Sequence, residues 1–518
     1  MDVGIIELIH DRPPTGVADP YGAIFRKQLM GIMPQCVAVW CRQLGHKTHY
    51  RTYWGQSDPI SLLPNDLDAL FVSCYTQSSA LAYAIASVYR RRGTLTVVGG
   101  AHARCFPTDC SRFFDIVVKD CDRSLIDDIL RKRHDPPAIV SSDRPLTLFP
   151  SVEERMPDIE ASAFYRGRST AASTVPLLSS TGCPYACGFC VDWNSTHVTR
   201  AGDDLQQDLN FLSRRHPQTL IAYHDPNFAI RFDNTMDIIS RVPGRRNRYV
   251  MESSLSILKP ERLPRLLESN CTYVAPGIES WTDYSNKAGT GSLTGQRKLD
   301  KIVDHLNLVK RYVGGVQANF IFGADSDHGA EPVALTKEFM RRLPDVWPTI
   351  NIPVPFGGTP LYDEMRRGGR ILETMPFFFY YNPYVAITMK NYDPLEFYDH
   401  LIDLNTVRAS LLFRRLSVES PLSIRFINAV RTIQARSELG EFRRVRSMLA
   451  SDAQFRAYHM ARSRDLPEFY SKSFERHLGR YAELLPPRSR QPVLELPESP
   501  LPAPLRSRAP EAAASPPH

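Results

Sequence analysis

Twice along its length the sequence alternates apolar segments of strand length with amphipathic segments of helix length. That alternation confines the chain to α/β architectures built on parallel sheets, because parallel strands need long crossovers, usually helical. Helices on both faces bury such strands completely, so they read as continuous apolar runs. Residues 68–73 (DALFVS), 94–98 and 115–118 (DIVV) are runs of this kind. With 2–9 and 47–53 they give five strand candidates within residues 1–145, separated by helical stretches at 24–44, 78–92 and 124–131. Gly45 stops the first stretch and Pro34 kinks or divides it, while Arg90, Arg91 and Arg92 suit the C-terminal dipole of the second. The pattern predicts a doubly wound, Rossmann-like parallel sheet whose ligand crevice lies beyond the strand C-termini, where Ser73, Gly99 and Gly100 fall. A tight turn without a ligand explains the glycine pair equally well.

Residues 146–172, with Pro150 and Pro157, read as a connector. Between 173 and 375 six further strands are predicted, at 175–180, 219–224, 249–254, 272–276, 316–322 and 349–353, each followed by a helix or turn. A closed eight-fold barrel takes about 250 residues, so this shorter segment predicts an open, partial (β/α)6 barrel. Residues 376–485 turn aromatic (Phe377 to Tyr384, FFFYYNPY) and then helical. From 486 to 518 prolines crowd the chain, which predicts a disordered tail.

Composition narrows the function classes. Hydrophobic content of 43% and charged content of 23% are those of an ordinary globular protein. A net charge of +7 scattered over 518 residues gives no nucleic-acid footprint. No apolar run approaches the ~18 residues of a membrane span, and the MDVGIIE start has neither a basic region nor a cleavage site. A cytoplasmic protein is expected. Ten cysteines are too sparse for a disulfide scaffold, so metal or catalytic use is favoured.

Three of the ten fall together as Cys183-Pro-Tyr-Ala-Cys187-Gly-Phe-Cys190, directly after the strand at 175–180. One loop with these spacings can fold three thiolates about a point, as iron–sulfur clusters require. A structural zinc site wants four protein ligands, and no fourth cysteine lies nearby. A [4Fe–4S] cluster held by three cysteines keeps one iron open.

C-x3-C-x2-C with an aromatic residue before the last cysteine, after the first strand of a partial barrel, resembles the radical S-adenosylmethionine superfamily. The resemblance implies that the open iron chelates S-adenosylmethionine and that the reduced cluster cleaves it to a 5′-deoxyadenosyl radical. A small one-electron donor such as flavodoxin or ferredoxin is implied, as is a small-molecule substrate. It also implies cofactor contacts at later strand ends. Asp225 would meet the methionine amino group, Ser254 is a polar contact, Glu279 in G-x-E-S would bond the ribose or a backbone amine, and Gly323 would let the backbone pack along adenine. The segment 353–362 resembles the barrel-closing loop.

The sheet before the barrel resembles the cobalamin-binding subgroup, with Ser73, Gly99, Gly100 and His102 (in Gly99-Gly100-x-His102) as the implied cobalamin contacts. The histidine motif that ligates cobalt in other cobalamin proteins is absent, and Val118-Lys119-Asp120-Cys121-Asp122 replaces a glycine- and glutamate-rich turn. Three readings therefore stand. The first is a cobalamin-dependent radical enzyme methylating carbon or phosphorus. The second is a radical enzyme without functional cobalamin catalysing cyclisation or rearrangement. The third is a non-enzymatic zinc or iron–sulfur module.

Overall fold

Strand β1 (Asp2–Leu8) is flanked by β2 (Lys47–Tyr53) and β3 (Ala69–Cys74). Then come β4 (Leu95–Gly99), β5 (Ile116–Val118) and β6 (Ala138–Val140), giving one parallel sheet ordered β2-β1-β3-β4-β5-β6. The computed structural model describes residues 1–14, 19–142, 146, 148–170, 172–417 and 421–496. β6 escaped the sequence reading because it is three residues long and half-exposed at the edge. Alternate strand residues serve opposite faces. Val3, Ile5, Phe71 and Val97 pack under the helices Ile32–Gln43 and Arg123–Leu130. Ile6, Leu70, Val72 and Val98 join the larger core with the helix Ser79–Arg91. The strand order reverses between β1 and β3, which is where such sheets open a ligand crevice.

The helix expected over 24–44 is two: Pro20–Ile24 and Ile32–Gln43. Pro34 neither kinks nor divides the second, because it sits in the first turn, where a missing N–H breaks no bond. The connector also holds a helix, Val152–Ala163, capped reciprocally by Ser151 and Glu154. That S-x-x-E capping box was the missed signal. Its Arg155, fully buried, donates to Gln35 Oε1 (2.9 Å) and Pro176 O (3.3 Å), tying the first sheet to the next.

The second sheet begins with β7 (Thr174–Leu177) and is followed by a small antiparallel pair, β8 (Ser180–Thr181) and β9 (Val198–Thr199). Parallel strands continue as β10 (Leu220–Tyr223), β11 (Tyr249–Glu252), β12 (Cys271–Ala275), β13 (Gly277–Glu279), β14 (Gly315–Ile321) and β15 (Trp347–Asn351). β7, β10, β11, β12, β14 and β15 neighbour one another in chain order, and β13 carries on from β12 beyond Pro276. β7 and β15 do not pair, so the barrel stays open.

The helices Pro394–Ser410 and Leu422–Ser451 pack on β15 through Ala409, Ala435 and Trp347, and Glu468–Leu478 packs on Phe378 and Phe379 through Phe474 and Tyr470. Residues 486–496, read as the start of a disordered tail, include the short helix Pro487–Arg490 and strap the two sheets together. Thr108 N–H and Oγ1 donate to the Glu495 carboxylate (2.8 and 2.7 Å), Val493 N–H donates to Asp109 (2.7 Å), and Tyr362 Oη donates to Glu495 O (2.8 Å). Residues 497–518 lie outside the described residues. Among the described residues, no helix is long and apolar enough to cross a membrane.

Candidate active site

The loop bearing the three cysteines is anchored on every side. It leaves β7 through Ser179 and Ser180, whose N–H and hydroxyls donate to the buried Asp225 carboxylate (Ser179 N, 3.0 Å; Ser179 Oγ, 2.6 Å; Ser180 Oγ, 2.7 Å). β8 and β9 close its base. Gly182 turns there with φ of +66°, and a Cβ on it would lie 2.2 Å from Thr196 O. Cys183 N–H donates to Ser195 Oγ (3.2 Å), and Cys190 N–H closes a turn on Cys187 O (2.9 Å). Gly188 O accepts from Leu361 N–H, and Gly358 O from Trp193 Nε1, so the segment expected to close the barrel buttresses this loop. Arg104, from the first unit, donates to Asp192 of the loop (3.1 Å). Gly182→Ala is expected to remove cluster loading while the remainder of the fold persists, since left-handed backbone with a clash costs on the order of 1–3 kcal/mol locally. Iron and sulfide content beside the circular dichroism spectrum checks this.

Cys183 and Cys187 are buried and Cys190 half-buried. Burial pushes all three thiols above their ordinary range, and the Lys287 ammonium pulls each back down. Conversely, these thiols and Glu279 hold the Lys287 ammonium above its usual range despite burial. Lys287 was not found from sequence, because a lone lysine eight residues after Glu279 carries no pattern. Among the described residues no group of three or more His, Cys, Asp or Glu is placed to hold a metal ion. A mononuclear site gathers its sulfurs at about 2.3 Å from one centre, whereas a cluster ligates each thiolate through a different iron. Three thiols on one loop are the donor type of an iron–sulfur cluster and one fewer than the four protein ligands structural zinc takes.

The strand-end residues divide into two groups. Asp225 accepts from both Ser179 and Ser180, so it positions the root of the loop. Ser254 joins a polar chain to the loop: its N–H donates to Asn227 Oδ1 (2.9 Å), Ser256 Oγ donates to it (3.0 Å), and Ser256 meets Tyr185 Oη (2.6 Å). Gly323 is not open to a ligand. Phe397 and Met389 of the C-terminal region lie against it, and its N–H donates to Asp327 (2.9 Å).

Glu279 faces a large cavity of about 1240 Å³. Phe189 of the cysteine loop, stacked on Tyr284 (5.2 Å), opens on it, as do Glu252, Asn319 and Asn351 of the barrel and Arg12 and Gln77 of the first unit. Burial pushes the Glu279 carboxyl up to about 7; Lys287 and Lys298 oppose the rise and Glu252 adds to it. The folded chain thus holds this proton more tightly than an exposed glutamate does. The associated stability is complete below about 4.5 and is lost as pH rises through about 7, at most about 3 kcal/mol. Glu279→Gln is expected to flatten the fall in unfolding midpoint across that window, as read by thermal denaturation at several pH values.

In the first unit, Ser73, Gly99 and Gly100 do come together, lining a narrow apolar slot with Ile5, Val37 and Cys121 between the sheet and the helix Ile32–Gln43. Its free volume is about 60 Å³. His102 is not with them. It is fully buried on the other side of its turn, with Nε2 2.6 Å from Tyr83 Oη and its ring edge-on to Phe377 at 5.0 Å. The helix after Gly100 turns it into the core. Phe377, Phe378, Phe379 and Tyr380 form core as well, although Tyr380 and Tyr381 also border the large cavity.

No family model matches the chain. Two curated proteins of Chlorobaculum tepidum resemble it. The bacteriochlorophyllide d C-8(2)-methyltransferase is 26% identical over 357 residues, 64% of this chain and 75% of that protein. The bacteriochlorophyllide d C-12(1)-methyltransferase is 21% identical over 319 residues, 59% of this chain and 68% of that protein. Among solved structures, the cobalamin-dependent S-adenosylmethionine radical enzyme OxsB with aqua-cobalamin bound superposes with a TM-score of 0.57 and 12% identity, covering 92% of this chain and 75% of that one. The radical S-adenosylmethionine methyltransferase TsrM from Kitasatospora setae, with cobalamin and a [4Fe–4S] cluster bound, gives 0.50 and 14%, covering 72% of this chain and 76% of that one. The chain thus shares the fold of OxsB and TsrM over most of its length, and its sequence resembles the two bacteriochlorophyllide d methyltransferases.

Proposed function

We propose that this chain is a cobalamin-dependent radical S-adenosylmethionine methyltransferase acting on a carbon of a small biosynthetic molecule. One observation carries the reading: the loop that bears the three closely spaced cysteines lines, through Phe189, a cavity that the first unit also borders through Arg12 and Gln77. When bound, the cluster, S-adenosylmethionine and cobalamin supply reductive cleavage of a sulfonium carbon–sulfur bond and methyl transfer to the resulting substrate radical.

The chain's own residues do the rest. Cys183, Cys187 and Cys190 hold the iron. Asp225 holds the loop, and Ser254 and Tyr185 fix its far side. Lys287 offsets the negative charge of thiolates and ligand carboxylate, and Glu279 accepts a hydrogen bond at the cavity mouth. Ser73, Gly99 and Gly100 admit the cobalamin nucleotide tail. Among the described residues, the lining of that slot contains no histidine. Carbon methylation is favoured by the two relatives named for side-chain methylation of bacteriochlorophyllide. The electron comes from a small donor of the flavodoxin or ferredoxin kind. All ten cysteines are free thiols, as suits the reducing cytoplasm.

Anaerobic reconstitution with iron, sulfide and cobalamin tests the reading. A [4Fe–4S] EPR signal that changes on adding S-adenosylmethionine, a retained corrinoid absorbance, and formation of 5′-deoxyadenosine with S-adenosylhomocysteine are expected. A cluster without retained corrinoid would refute cobalamin dependence, and no cluster at all would refute the whole reading.

A further inference from the structure

The large cavity carries two separate charge clusters. Glu252 and Glu279 are influenced by Lys287 and Lys298, beside the cysteine loop. The other cluster lies where the first unit meets the C-terminal helices: Arg12, Arg444 of Leu422–Ser451 and Arg476 of Glu468–Leu478 share a wall with Tyr381 and Tyr384. Arg12 and Arg444 both act on the Tyr384 hydroxyl, and Arg12 and Arg476 both act on His477.

The charges there do not balance. Arg12 has Asp11 at 3.4 Å, and Arg444 has Glu441 at 3.9 Å. Arg476 has no carboxylate partner among the described residues. His477 adds no further positive charge: its Nδ1 lies 2.6 Å from Ser473 O, and burial lowers its pKa. One guanidinium, that of the exposed Arg476, is left without a carboxylate among the described residues. A guanidinium fork matches a carboxylate in a planar, bidentate pair, and one surplus cation matches a carboxylate better than a phosphate monoester, which carries nearly two negative charges.

Beside that cation stand flat apolar surfaces. Tyr381 and Tyr384 meet edge to face at 5.8 Å, and Phe442, Val354 and Phe356 continue the wall. Asn382, on the same wall, spends its amide N–H on Ile350 O and leaves a buried Oδ1 with no donor. Buried acceptors of this kind are normally satisfied.

We propose that the substrate is a carboxylate with a planar, apolar body, and that Arg476, assisted by Arg444 and Arg12, grips the carboxylate while the tyrosine wall takes the body. This rests on the proposed function in making the occupant a substrate, and it adds the substrate's chemical class. Arg476 is thus a specificity residue contributed by the C-terminal helices.

The probes are 1-pyrenebutyrate and the neutral 1-pyrenebutanol, which share one planar body, titrated by fluorescence into the cluster-reconstituted full chain. The butyrate is expected to bind at least about tenfold more tightly, a difference of about 1.4 kcal/mol. Arg476→Gln should remove that preference without changing butanol binding, Arg476→Lys should keep part of it, and Arg443→Gln, an exposed neighbour on the Arg444 helix, should leave it intact. Equal binding of the two probes, no binding of either, or equal weakening of both by Arg476→Gln would overturn the proposal. If the cluster signal responds to S-adenosylmethionine but the probes ignore Arg476, this inference alone fails. If the probes discriminate but no cluster forms, the proposed function fails and the carboxylate site stands.

Discussion

Alanine at Cys183, Cys187 or Cys190 is expected to lower 5′-deoxyadenosine formation to below about one-thousandth of wild type, a rise of at least about 4 kcal/mol in the effective barrier. The loss should be equally deep at each position, because each thiolate serves a different iron and none can stand in for another. The three lie on one loop whose turns are set by backbone bonds, such as Cys190 N–H to Cys187 O, and not by the thiols themselves. Secondary structure should therefore survive each substitution. Cys41→Ala, in the core of the first unit, provides the comparison: it leaves a small cavity but loses no ligand. Iron and sulfide analysis, EPR and product chromatography check the expectation, and retention of the product in any single variant would remove the assignment.

Asp225→Asn has the second-largest expected effect, and it separates two roles for this residue. As seen here, Asp225 accepts three kinds of bond from Ser179 and Ser180, at the root of the cysteine loop. An amide offers one acceptor oxygen and turns an NH2 toward donors. Hydrogen bonds to a charged group contribute about 1.5–3 kcal/mol each, so a loss of about 3 kcal/mol in stability and at least tenfold lower cluster loading is expected. Had Asp225 instead gripped the methionine amino group, the variant would keep its cluster and bind S-adenosylmethionine more weakly. Denaturant unfolding and iron content, read beside S-adenosylmethionine binding, decide between the two.

The sequence carried the architecture because the physics of parallel sheets writes itself into apolar runs. Every barrel strand predicted between 173 and 375 appears, its ends shifted by at most three residues, and the open barrel follows from the segment's length. What it missed has local causes. β6 is too short and too exposed to give a run, and the helix Val152–Ala163 announced itself only through its capping box. The site was legible where chemistry is dense in sequence, at Cys183, Cys187 and Cys190. It was less legible where function depends on side-chain direction. Nothing in Gly99-Gly100-Ala101-His102 says that His102 turns inward to Tyr83, or that Gly323 lies under Phe397. Lys287 and Arg476 matter through charge balance in space, which no linear spacing encodes.

The strap formed by Val493 and Glu495 has a consequence for biosynthesis. Domains fold as they leave the ribosome, the N-terminal part first. Here the contacts that latch Thr108 and Asp109 to Tyr362 are among the last of the described residues to be synthesised. This strap therefore closes only after both sheets, already tied through Arg155 and Arg104, have been synthesised, which leaves an interval in which bulky cofactors can enter the gap before it is fastened.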